Sequence, residues 1–136
     1  MGRRLILDTA ALVGYERGTY DTAALDDDDL AIAAVTVAEF RTGIELADSA
    51  ERAAARARVL DAILTTVAVL DYTEHTAVHH AHLLAHVRRT GVPRGAHDLV
   101  VAAHAAETGR TVVSLDAAAR FADLPGVTAE MPRAAR

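Results

Sequence analysis

Stretches of strand length and stretches of helix length alternate along the whole of this chain. "RLILD", "LAIAAV", "AVLDY" and "TVVSLD" are short apolar runs, and "VTAEM" is a further edge-strand candidate. Between them lie "TAALVGYERG", "TVAEFRTGIELADS", "AERAAARARVLDAILTTV", "TEHTAVHHAHLLAHVRRTG" and "GAHDLVVAAHAAETG", each with helical spacing of apolar residues. A strand followed by a helix and then another strand packs best with the strands parallel and the helices on both faces. The alternation therefore predicts a three-layer α/β/α fold around a mostly parallel sheet of four to five strands. The 136 residues suit a single domain, read as 1–131, with 132–136 as a frayed tail. In such a sheet, ligands bind beyond the carboxyl ends of the strands, where the strand order reverses.

Acidic residues recur at that rim. Asp8 closes the first strand and Asp116 follows the fourth. Glu39 is placed in the first turn of the helix after the second strand, and Asp98 in the first turn of a helix that is apolar nearly all round. Such a helix is covered on both sides, so a carboxylate beside it needs a partner or a cation. Each acid also has a plain structural reading. Asp8 with Thr9 can cap a helix, and Thr36 with Glu39 forms a capping-box pattern. Asp98 can face a helix dipole, and Asp116 can cap the turn "AAARF". Capping does not require all four to meet at one rim, however. Crowded carboxylates repel and are tolerated around a hard cation. Oxygen ligands without cysteine favour Mg²⁺ or Mn²⁺ over zinc.

These blocks resemble a family. "LILDTAAL", "AVTVAEFRTG", "GAHDLVVAAHAAETG" and "TVVSLDAAARFADLPGV", in this order and spacing, resemble the PIN-domain ribonucleases of the VapC toxin type over nearly the whole chain. The resemblance implies a PIN-like fold and metal-dependent hydrolysis of RNA phosphodiester bonds. It implies the toxin half of a type II toxin–antitoxin pair, with a VapB-like antitoxin as partner and RNA as substrate. Carried over by motif, the catalytic and metal-holding residues are Asp8, Glu39, Asp98 and Asp116, with Thr9 and Ser114 as polar support. The implied cofactor is Mg²⁺, with Mn²⁺ as the alternative. Arg41 and Arg94 are candidate phosphate contacts, set against a reading of both as solvated surface arginines. Two departures touch the tuning of the site: Ala10 stands where the family often has Asn or Ser, and Ser114 where Thr is common.

Other classes find less support. All 14 basic residues are arginine, so the lysine wanted by a receiver domain or a haloacid-type phosphatase is missing. With no cysteine there is no disulfide frame, thiolate metal site or cysteine nucleophile. A net charge of −5 argues against a chain that coats nucleic acid. No apolar stretch is long enough to span a bilayer, and Asp8 interrupts the only signal-like start, so a cytoplasmic protein with no membrane contact is expected. Two alternatives remain. One is a weak or dead PIN module that only binds an antitoxin. The other is a metal-binding interaction domain using "HTAVHHAHLLAH", whose histidines recur at i,i+3 and i,i+4. The preferred reading of that helix is a solvated face, partly covered in a homodimer. The run Asp26–Asp29 is read as a solvated loop.

Overall fold

The computed structural model describes residues 2–135. Five strands, β1 (Arg4–Leu7), β2 (Asp29–Ala33), β3 (Ala68–Leu70), β4 (Thr111–Val113) and β5 (Ala129–Glu130), form one sheet in the order β3-β2-β1-β4-β5. Every pairing between them is parallel. The chain proceeds outward from β1 through β2 to β3, then crosses back to β4 on β1's other side. The switch point thus lies between β1 and β4, beside Asp8 and Ser114.

Five helices cover the sheet: α1 (Thr9–Arg17), α2 (Ala34–Glu45), α3 (Ala50–Leu64), α4 (Glu74–Thr90) and α5 (Ala96–Thr108). Side chains alternate along a strand, so β1 feeds two cores. Leu5 and Leu7 join Leu12, Ile32, Ile63 and Val67 on the α1/α3 side. Ile6 joins Leu83, Leu99, Val101 and Phe121 on the α4/α5 side. Leu5, Ile6 and Leu7 are fully buried, and each such side chain contributes about 1.5–3 kcal/mol of hydrophobic stabilisation. This double burial is the three-layer arrangement expected from the sequence. Gly18, Gly91 and Gly109 end α1, α4 and α5 in the left-handed conformation.

Local departures have physical causes. β2 runs directly into α2, with extended Ala33 as N-cap and no side-chain cap. Thr36 is therefore inside the helix, fully buried, with its hydroxyl unpartnered among the described residues. The Thr36–Glu39 capping box does not form, and Glu39 falls in the second turn. Leu46, the C-cap of α2, lies past the helix end and is 78 % exposed. Asp28 is not solvated, because it accepts from the main-chain N and Nη2 of Arg3. Asp29 faces buried Arg110. The tail is tied rather than frayed at residues 133–134: Arg133 O accepts from Asp21 N, and Ala134 bridges to Tyr20.

Candidate active site

Beyond the carboxyl ends of β1 and β4 lies a cleft of about 330 Å³ lined by Asp8, Thr9, Ala10, Glu39, His97, Asp98, Val101 and Asp116. The four carboxylates come from four separate segments, and the topology brings them together. Asp8 follows β1 and caps α1, its Oδ1 accepting from Ala11 N at 2.8 Å. Its Oδ2 accepts from the Ser114 hydroxyl at 2.5 Å. Ser114 Oγ in turn accepts from Asp116 N at 3.0 Å, so one hydroxyl links the acids that follow β1 and β4. Asp116 caps the short 3-10 turn Ala117–Ala119 through Ala118 N.

Glu39 projects from the second turn of α2. Side chains on a helix lean toward its N-terminus, which here is the rim of the sheet. Thr9 Oγ1 donates to Glu39 Oε1 at 2.8 Å, and His97 Nδ1 stands 3.1 Å from the same oxygen. Asp98 sits in the first turn of α5, whose N-cap is Gly95. A Cβ on Gly95 would lie 3.0 Å from Asp98 Oδ2, so the missing side chain leaves room for that carboxylate. Among the described residues, no donor engages Asp98.

Burial pushes the Asp98 carboxyl up, and the charges of Asp8, Asp116 and Glu39 push it further; His97 opposes them. Burial likewise raises Asp8, aided by Asp116 and Glu39, against the hydrogen bonds from Ser114 and Ala11. As they stand, no three carboxylate or imidazole side chains among the described residues are arranged to hold one ion. Asp8, Glu39 and Asp116 are instead turned onto protein donors.

The capping readings of Asp8 and Asp116 and their placement at the rim thus hold together. Thr9 touches Glu39, and Ser114 touches both the Asp8 carboxylate and the main chain of Asp116. Arg41 is exposed on α2. Arg94, expected as a phosphate contact or a solvated arginine, instead gives Nη1 to the carbonyls of Ala119 and Arg120, both at 2.7 Å. His97 was not foreseen. Adjacent helix positions point in different directions, and nothing in the dipeptide with Asp98 signals contact with Glu39. The histidine face of α4 offers no group of three ligands, and His80 Nδ1 is 2.8 Å from Tyr72 OH.

Comparison with known proteins bears on the same segments. The family model described as "PIN domain" matches residues 5–126. The chain is 30 % identical over 106 residues to a tRNA(fMet)-specific endonuclease VapC of Salmonella typhimurium, covering 78 % of this chain and 77 % of that one. Among solved structures it resembles DNA-bound VapBC from Salmonella typhimurium, with TM-score 0.81, 26 % identity and coverage of 96 % and 98 %. It also resembles VapBC-5 from Mycobacterium tuberculosis, with TM-score 0.75, 28 % identity and the same coverage.

Proposed function

The chain belongs to the PIN-domain family, and from that premise we propose that it is a divalent-cation-dependent endoribonuclease acting as the toxin of a type II toxin–antitoxin pair. The observation that carries this reading is the meeting of Asp8, Glu39, Asp98 and Asp116 in one cleft at the switch point. The nuclease relatives support it.

The donor set fits a hard cation. All four groups are oxygen ligands, and burial together with mutual repulsion raises Asp8 and Asp98, as expected where positive charge is lacking. Asp8, Glu39, Asp98 and Asp116 would hold Mg²⁺ or Mn²⁺, which supplies charge that acidifies water and neutralises phosphoryl oxygens. The chain's own groups do the rest. Ser114 fixes Asp8 and the start of the Asp116 loop. Thr9 holds Glu39. Asp98, which no protein donor engages among the described residues, has its carboxylate oxygens open to the cation or to an attacking water. Arg41 is free on the surface to meet a flanking phosphate of the RNA. Cleavage of RNA should stop with excess chelator and return with Mg²⁺ or Mn²⁺, and Asp98→Asn should cut at a small fraction of the parent rate. Undiminished cleavage in chelator refutes the reading.

The partner reading rests on charge and shape. A second cleft, of about 370 Å³, lies alongside and shares Thr9 and Glu39 with the first; Val13, Phe40, Ala55 and Val59 supply its apolar lining. A VapB-like antitoxin segment could lay apolar side chains there and place an arginine among the acids, whose planar fork of donors can satisfy two carboxylates. A basic segment bound this way competes with the cation, so its affinity should fall as Mg²⁺ rises. Affinity indifferent to Mg²⁺ would put the partner elsewhere.

A further inference from the structure

The segment after β4 carries Asp116, and its conformation needs support at both ends. At its start, Ser114 Oγ accepts from Asp116 N and donates to Asp8. At its far end, Arg120 has φ 46° and ψ 49°, the only positive φ among the described non-glycine residues. A side chain disfavours that conformation, which persists where surrounding contacts hold it. Arg94 adds two such contacts to the turn's own bonds from Arg120 N to Ala117 O and from Asp123 N to Arg120 O. Its Nη1 donates to both Ala119 O and Arg120 O at 2.7 Å. That uses both protons of one nitrogen in charge-assisted bonds. Arg94 also immediately precedes Gly95, the N-cap of α5, three residues before Asp98.

We infer that Arg94 is a positioning residue that clamps the Asp116 segment to the start of α5 and so sets the spacing of Asp98 and Asp116. The clamp spans 25 and 26 residues of sequence and ties together two of the segments that carry the acids. Its consequence for cation binding rests on the function proposed above. An arginine suits this role because its rigid fork presents two protons in one plane; a lysine reaches the same carbonyls with a more mobile donor.

The test uses the full chain as parent, Arg94→Ala and Arg94→Lys. It reads Mn²⁺ affinity by calorimetry and amide exchange by NMR. In Arg94→Ala, the Ala118 amide, capped by Asp116, should exchange faster while Val101 inside α5 keeps its protection. Mn²⁺ should bind about tenfold more weakly, part of what the two lost charge-assisted hydrogen bonds contribute. Arg94→Lys should recover most of both. Unchanged Ala118 exchange and Mn²⁺ affinity, with RNA binding weakened in a salt-dependent way, would overturn the clamp and make Arg94 a phosphate contact. A parent that binds no Mn²⁺ would overturn the cation reading, while faster Ala118 exchange in Arg94→Ala would still uphold the clamp.

Discussion

Asp98 is a carboxylate that no donor engages among the described residues. The start of α5 offers it some positive charge, but burial and three neighbouring acids outweigh this and raise its pKa. A carboxyl raised in the folded state binds protons more readily there than in the unfolded chain. Its stabilising effect is complete below the unfolded pKa, near 3.8, and is lost as pH rises through the folded value. At neutral pH without a cation, ionised Asp98 is therefore a cost. Asp98→Asn keeps the size and removes the charge, so thermal unfolding at pH 7 without metal should show a higher Tm for the variant, and the difference should shrink toward pH 4. A lower Tm at pH 7 would mean that the carboxylate stabilises the fold. Asp8, Asp98 and Asp116 were legible in the sequence because each sits at a strand or helix end, a local property. His97 was not, and Arg94 was singled out only as a candidate phosphate contact, because their contacts with Glu39 and with Ala119–Arg120 arise only when distant segments pack.

At the scale of elements, strands and helices could be read from apolar periodicity, and the glycine stops of α1, α4 and α5 from chemistry. The start of α2 could not. The "TVAE" pattern is a sound local signal, but β2 enters the helix without a loop and buries Thr36. The α4–α5 contact conceals another group that periodicity passed over. His104 is 1 % exposed on α5, with neither ring nitrogen hydrogen-bonded among the described residues. Burial pushes its pKa below 6.5; Glu107 and Asp71 oppose this, and His80 adds to it. Glu107, 3.9 Å away, is already engaged by Thr76 Oγ1 at 2.7 Å, and the Tyr72 ring lies edge-on to the imidazole. The unfolded chain thus binds this proton more readily than the folded one. The protein should lose stability as pH falls below 6.5 toward the depressed folded value. His104→Leu should flatten that part of the curve in urea unfolding at a series of pH values; an unchanged slope would assign it to other groups.

For the whole molecule, the strand order explains why four separate segments can share one site. β1 and β4 are neighbours whose following segments diverge, and α2 and α5 begin beside the same rim. The layered arrangement was visible in the alternation of segments, but the five-strand order with its reversal at β1 was not, since local pattern carries no information on which strands pair. Among the described residues no helix is long and apolar enough to cross a membrane. The central claim is that the four acids act as one cation site despite their present engagement with protein donors. Calorimetric titration of the folded chain with Mn²⁺ at neutral pH tests it most directly. The account predicts saturable binding by the parent and binding at least about tenfold weaker in Asp98→Asn, the loss expected for a charged ligand. Failure of the parent to bind, or equal affinity in parent and variant, would contradict it.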